Sequence, residues 1–178
     1  INGRNKRDVL VAADPVKEYH FSSDGEYLLV ATSREIYLID RDTGEKQLID
    51  SWGQPDAAGE WKGVISGIRW APDSRRFCYE VARWSSYSSQ NHLYIYDVQE
   101  KQKRTFQSPT RRISSLYWDR AGLNLYYVER EAKDTSVHAY AFDVNVFRIP
   151  LASLKPEFVA KIPYDRSCIP TANLTVRG

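Results

Sequence analysis

The chain has 178 residues, 42% of them hydrophobic and 27% charged, which is ordinary for a soluble globular protein with a buried core. Its 25 basic and 23 acidic residues leave a formal net charge of +2, which argues against nucleic acid or an anionic membrane surface as its partner. No window reaches the roughly 20 apolar residues that a membrane span needs.

The first repeat, residues 15–50, is predicted to form four strands. Two polar segments, Ser-Asp-Gly at 23–25 and Asp-Thr-Gly at 42–44, suit tight turns, because Asp can bond the nearby backbone and Gly accepts a positive φ. The expected strands are Glu18–Ser22, Tyr27–Thr32, Glu35–Asp40 and Lys46–Ile49. One more strand is expected ahead of this repeat, at residues 8–13.

The same order of strands and turns is predicted twice more, at residues 65–107 and 113–162. The second repeat is expected to form Ser66–Ala71, Phe77–Ala82, Leu93–Asp97 and Lys103–Phe106. The third is expected to form Ser114–Trp118, Leu125–Glu129, Val146–Leu151 and Glu157–Ile162. Residues 167–177 are predicted to begin a further repeat.

An aromatic residue lies at or next to the end of the first strand of each repeat: Phe21, Trp70 and Trp118, which lie 49 and 48 residues apart. Strand-rich units with a period of this size are typical of β-propeller blades. The sequence therefore predicts an all-β protein, a single domain over residues 1–178. This domain is a β-propeller or partial propeller of about three to four four-stranded antiparallel blades, with the three aromatic side chains between neighbouring blades.

About three and a half blades are fewer than the four that a closed propeller needs. A partial propeller leaves long unpaired edges, which invite pairing with another chain. We therefore expect the remaining blades to come from a longer chain, or from a second copy packed about a two-fold axis.

The segments FSSDGEYLLVATSREIYLID and IRWAPDSRRFCYEVA resemble the WD-like propeller repeat of the TolB-like class. The same repeat builds the propeller domain of the prolyl oligopeptidase and dipeptidyl peptidase families, whose pattern is an aromatic followed by Ser-Pro-Asp-Gly. This chain departs from that pattern, because 21–25 lacks the Pro and 70–74 lacks the Gly. The resemblance implies the fold for residues 15–162, but propellers serve many functions.

If the first strand of each blade runs from an upper to a lower edge, the long connections 51–63, 84–91 and 130–138 all lie at the upper edge. Loops on a rigid scaffold often carry binding residues. The candidate partner-binding residues are Trp52, Trp61, Trp84 and Tyr87, large aromatics among Ser, Gly and Asn, as is typical of adaptable protein-binding surfaces. The alternative is that these aromatics fold back and cover the blade ends.

The sequence contains no Gly-x-Ser-x-Gly elbow and no phosphate-binding Gly loop, and His20, His92 and His138 lie in different repeats without metal-ligand spacing. We therefore expect no catalytic residues, no cofactor and no metal. Cys78, between Phe77 and Tyr79, is expected to be a small buried side chain, with a bridge to Cys168 as the alternative.

These observations favour a non-enzymatic propeller scaffold that binds one or more protein partners, with a second copy of itself as one candidate. The resemblance implies a bacterial cell-envelope or periplasmic setting, with a cytoplasmic setting as the alternative. Two other functions stay open: a piece of the gating propeller of a prolyl oligopeptidase-like or dipeptidyl peptidase-like serine peptidase, and a carbohydrate-binding propeller.

Overall fold

The computed structural model describes residues 14–51, 62–84, 89–107, 113–132 and 142–162. They form twelve β-strands in three separate sheets. Blade 1 contains β1 (Glu18–Phe21), β2 (Tyr27–Ala31), β3 (Glu35–Asp40) and β4 (Lys46–Ser51). Blade 2 contains β5 (Lys62–Trp70), β6 (Arg76–Trp84), β7 (Ser89–Asp97) and β8 (Gln102–Gln107). Blade 3 contains β9 (Ile113–Trp118), β10 (Asn124–Ala132), β11 (Phe142–Pro150) and β12 (Glu157–Ile162).

Each blade is an antiparallel meander in which every strand pairs with the next one along the chain. This confirms the all-β prediction and the division into three repeats of four strands. Within the described ranges, no helix is long and apolar enough to cross a membrane. The predicted end strands at 8–13 and 167–177 lie outside the described residues.

Several strands are longer than the sequence predicted. β6 continues past Ala82 to Trp84, and β7 already begins at Ser89 rather than at Leu93. β10 and β11 extend in the same way, so the predicted long loops 84–91 and 130–138 are partly strand. The physical reason is that each added residue has a partner in the neighbouring strand, and this pairing outweighs the low strand propensity of the added Asn and Asp residues.

Two apolar clusters join the three blades. The first joins Leu29, Ile36 and Leu38 of blade 1 to Phe77, Tyr79, Tyr94 and Tyr96 of blade 2. The second joins Cys78, Leu93 and Ile95 of blade 2 to Leu116, Leu125, Tyr127 and Ile149 of blade 3. Successive residues of β6 point to opposite sides of the sheet and are buried on both, which explains its apolar run Phe-Cys-Tyr.

The strand-end tryptophans also bond one blade to the previous one. The indole N–H of Trp70 donates to the His20 carbonyl at 3.1 Å, and that of Trp118 donates to the Arg69 carbonyl at 3.2 Å. The two acceptors occupy the same position in successive blades, so the interblade contact is repeated. Trp70 also stacks on Tyr27, with ring centroids 6.4 Å apart.

A polar cluster closes the outer part of the interface between blades 1 and 2. The Tyr79 hydroxyl donates to Asp50 Oδ2 at 2.6 Å, and Lys103 Nζ lies 3.1 Å from the same oxygen. Tyr79 is fully buried, so its hydroxyl would be costly to leave without an acceptor. Asp50 therefore satisfies a polar group that blade 2 presents to blade 1.

Backbone conformation repeats with the blades as well. Every described residue with a positive φ occupies one of three blade positions. These are the turn after the first strand (Gly25, Ser74, Gly122), the turn after the third strand (Gly44, Lys101, Leu154) and a bulge in the first strand (Gly67, Ser115). Because non-glycine residues rarely adopt this conformation, its recurrence shows that the blade geometry determines it.

Candidate functional site

The strand order gives each blade two different edges. The lower edge carries the short turns after the first and third strands, and the upper edge carries the connections after the second and fourth strands. This is the arrangement that the sequence analysis expected. A candidate site can therefore be sought at either edge.

At the lower edge, aspartates organise the turns. Asp40 Oδ1 accepts hydrogen bonds from the backbone N–H groups two and three residues further on, at 3.0 and 2.8 Å. Asp97 Oδ1 accepts the equivalent pair in blade 2, at 3.1 and 2.9 Å. The bond from the Thr43 N–H lowers the pKa of Asp40, because it stabilises the ionised form. These carboxylates therefore hold the turns by accepting hydrogen bonds from backbone N–H groups.

Two cavities open at the lower edge, of about 120 and 210 Å³. The smaller lies between blades 1 and 2 and is lined by Tyr27, Leu38, Asp40, Glu45, Gln47, Val98 and Lys101. The larger lies between blades 2 and 3 and is lined by Arg75, Arg76, Ile95, Asp97, Glu100, Gln102, Arg104, Leu151 and Leu154. Most lining positions correspond from one cavity to the other, so both are gaps that blade stacking leaves.

The upper edge is uneven, because blades 2 and 3 are taller there than blade 1. The last pair between the second and third strands of blade 1 is Ala31–Ile36. Its counterpart in blade 2 is Glu80–Leu93, after which four more pairs follow, ending at Trp84–Ser89. Four residues of strand add about 13 Å. Blade 3 gains four pairs in the same way, so two adjacent hairpins project above blade 1.

Of the four predicted partner-binding residues, Trp84 is the last residue of β6. It pairs with Ser89 of β7 at the end of the projecting hairpin. Tyr87 belongs to the four-residue connection that follows, 85–88, which lies outside the described residues. Trp52 and Trp61 lie in the connection between blades 1 and 2, which is also outside them. The grouping of the four aromatic side chains therefore stays a prediction.

A group of buried polar residues near the upper edge was not predicted from the sequence. Glu129 is only 1% exposed and lies on β10 opposite Asn145, in the first of the four added pairs. Asp143 is also buried and forms an ion pair of 2.9 Å with Lys161. The sequence gives no clear signal for this burial, because Glu129 directly follows the apolar strand Leu-Tyr-Tyr-Val and a carboxylate at a strand end is usually exposed.

Two titratable core side chains, Cys78 and Tyr79, are fully buried. Burial raises the pKa of the Cys78 thiol to about 12, so it stays protonated and unreactive near neutral pH. Cys78 is a free, fully buried side chain, which confirms its expected role in the core. Burial, and then the hydrogen bond to Asp50, raises the pKa of Tyr79. The described part of the chain holds no cluster of three or more His, Cys, Asp or Glu suited to a metal.

No protein-family model and no curated protein matches this chain. The chain is similar to dipeptidyl peptidase 4 from Porphyromonas gingivalis, with a TM-score of 0.68 and 12% identity over 89% of this chain and 27% of that one. It is also similar to the β-propeller domain of the Trilobed protease from Pyrococcus furiosus, with a TM-score of 0.59 and 16% identity over 82% of this chain and 43% of that one.

A third similar structure consists of WD40 repeats. The chain matches the WD40 repeats of RRP9 with a TM-score of 0.56 and 15% identity, over 90% of this chain and 42% of that one. The chain thus spans less than half of the length of each of these three structures. At this identity the likeness shows the β-propeller fold, which this chain shares with peptidase propeller domains and with WD40 repeat proteins.

Proposed function

We propose that this chain is a non-enzymatic β-propeller scaffold that binds protein partners at its upper edge, as part of a bacterial envelope assembly. The observation that carries the proposal is the projection of the β6–β7 hairpin about 13 Å above blade 1, with Trp84 at its end. A raised hairpin on a rigid stack of blades can reach a partner without moving the core. The connection after Trp84 has the sequence Ser-Ser-Tyr-Ser, which supplies Tyr87 beside small polar residues.

The stacking of the blades supports a binding role in a second way. Interblade bonds from Trp70 and Trp118 hold the strands that carry the upper connections. Binding residues on a fixed framework lose little conformational entropy when a partner docks, so affinity depends on the contacts themselves.

The test replaces Trp84 and Tyr87 with alanine and measures capture of partners from native extract by quantitative mass spectrometry. Central interface aromatics contribute much of the binding energy, so capture should fall by about tenfold or more. The double variant should keep the wild-type melting temperature, because both residues lie at or beyond the end of the hairpin.

A matched control replaces Leu123 and Phe158 with alanine. These side chains are 58% and 60% exposed, and they lie away from the upper connections. The control should capture partners as well as the wild type does. Unchanged capture by the Trp84 and Tyr87 variant would remove the proposal, as would an equal loss in the control.

A second candidate is that the chain is part of the gating propeller of a serine peptidase. The observation that favours it is the similarity to the Porphyromonas gingivalis dipeptidyl peptidase, of which this chain spans 27%. The two functions differ in what the gene encodes beyond these residues. A reading frame that continues into a hydrolase segment with a Gly-x-Ser-x-Gly elbow would favour the peptidase, whereas further blades or a stop would favour the scaffold.

A further inference from the structure

One side of blade 1 exposes a row of apolar residues that the other blades bury. Val16, Tyr19 and Phe21, called the open row here, are 50%, 66% and 53% exposed. With the 49-residue spacing, their counterparts in blade 2 are Ile65, Ile68 and Trp70; in blade 3 they are Ile113, Leu116 and Trp118. The four aliphatic counterparts are at most 5% exposed, and both tryptophans are partly buried.

The molecule itself shows what covers such a row. In blades 2 and 3, the row packs on the previous blade, and the indole N–H of its tryptophan bonds a carbonyl of that blade's first strand. The acceptors are the carbonyls of His20 and Arg69. The open row of blade 1 therefore has the shape and chemistry to accept the opposite side of another blade of the same repeat.

Blade 3 presents such a side. In blades 1 and 2 the side that faces the next blade carries apolar residues such as Leu38 and Ile95. The corresponding side of blade 3 carries Tyr126, Val128 and Val146, and Arg148, which is ion-paired with Glu157, stands at the position of Leu38 and Ile95. Within the described ranges, no further blade follows it. One chain thus has both halves of a blade-to-blade contact, at opposite ends of its stack.

We propose that two copies of this chain join head to tail, with blade 3 of each copy packed on the open row of the other. Propellers typically contain four to eight blades. The described blades of two copies number six, which is within that range. Two identical contacts about a two-fold axis close the ring and leave no exposed sheet face at either join.

The correspondence of positions between blades also predicts a substitution that should strengthen this contact. The acceptors His20 and Arg69 correspond to Tyr117 in blade 3, so the Tyr117 carbonyl of the second copy should face Phe21. Phenylalanine cannot donate to it, whereas tryptophan can. Phe21→Trp should therefore add one interblade hydrogen bond at each of the two contacts and tighten the dimer about 30-fold, the equivalent of about 2 kcal/mol.

The experiment measures the mass of the wild-type chain by size-exclusion chromatography with multi-angle light scattering, over a wide range of concentrations. The expected mass is twice that of one chain at high concentration. Phe21→Asp should raise the dissociation constant by about tenfold or more, because it places a charge in the contact. Leu48→Asp is the matched control, since Leu48 is 51% exposed on β4 and its counterpart Phe158 stays exposed at 60%.

Three results would overturn the proposal. The first is a monomer at every concentration, which would mean that other segments complete the propeller. The second is a dimer that Leu48→Asp weakens as much as Phe21→Asp does, and the third is a dimer that Phe21→Trp fails to tighten. Because the assay contains only this chain, its failure would leave partner binding by Trp84 and Tyr87 untouched.

Discussion

The residues with a positive φ show how the blade repeat acts on individual side chains. Gly44, Lys101 and Leu154 occupy the same turn position, with φ of 73°, 52° and 54°. The Gly44 N–H donates to the carbonyl four residues earlier at 2.9 Å, and that of Leu154 does the same at 2.8 Å. An L-residue in this conformation costs about 1–2 kcal/mol relative to glycine, so blades 2 and 3 contain a local strain that blade 1 avoids.

Lys101→Gly should therefore stabilise the protein. The expected gain in the free energy of unfolding is about 0.5–1 kcal/mol, because relief of the backbone strain exceeds the extra entropy of glycine in the unfolded chain. Lys101 is exposed, so little packing is lost. Urea denaturation measures the change.

Gly44→Ala makes the opposite change, from glycine to an L-residue, at the equivalent turn position of blade 1. A Cβ at Gly44 would meet no atom within 4 Å, so any loss of stability reports backbone conformation rather than a clash. We expect a loss of about 1 kcal/mol. If Lys101→Gly destabilises the chain while Gly44→Ala has no effect, the repeated turn geometry is not what limits stability at this position.

At the scale of the elements, the sequence predicted the inner parts of the strands well and their upper ends poorly. β3 and β12 have the predicted bounds, because turn residues flank an apolar strand at both ends. The additional residues of β6, β7, β10 and β11 include Arg, Ser, Gln and Glu, which have no marked strand preference. Their pairing depends on the partner strand, and a single sequence pattern does not contain that information.

The candidate site likewise combines features that local residue patterns predict with features that they do not. The loop lengths correctly separated a short-turn edge from a long-connection edge, because hairpin turns have local residue signatures. They did not predict the step between blade 1 and the two taller blades, nor the burial of Glu129. Both features depend on contacts between segments that are distant in the sequence.

The tryptophan at the end of the first strand should be the residue on which each blade contact depends most. Trp70→Ala removes a stacked indole and its hydrogen bond to the His20 carbonyl, so we expect a loss of about 3–5 kcal/mol. Thermal unfolding measures the change, and a melting temperature close to that of the wild type would contradict the blade contact.

Phe21→Ala serves as the control for Trp70→Ala. Phe21 holds the same blade position, but it is 53% exposed, since no described blade precedes it. At concentrations too low for two copies to associate, its removal should cost less than about 1 kcal/mol. Equal losses for the two variants would show that the tryptophan acts through its own strand rather than through the neighbouring blade.

At the scale of the whole molecule, the lower edge is a row of turns held by ionised carboxylates. A hydrogen bond from the Ser22 hydroxyl, at 2.6 Å, is the main reason that the pKa of Asp24 is lowered. The Thr43 N–H lowers the pKa of Asp40. Burial opposes ionisation of Asp119, but hydrogen bonds from Asn124 outweigh it, so the pKa of Asp119 is lowered as well. All three shifts have the same direction.

These shifts predict that acid weakens the fold. A carboxyl whose pKa is lower in the folded state stabilises the protein above its unfolded pKa, here 3.8, and this contribution is lost as the pH falls through the folded pKa. The urea midpoint of the wild type should therefore be lower near pH 3 than at pH 7. The triple variant Asp24→Asn, Asp40→Asn and Asp119→Asn should show a smaller difference, because asparagine keeps an acceptor oxygen but does not titrate.

A control variant with the same change in net charge separates the turn bonds from general charge effects. Glu26, Asp42 and Glu45 are exposed on the same edge, and no described turn amide donates to their side chains. Glu26→Gln, Asp42→Asn and Glu45→Gln together should keep most of the wild-type pH dependence. If this control loses the pH dependence as fully as the turn variant does, the acid response comes from the summed charge of the edge and not from the three hydrogen-bonded aspartates.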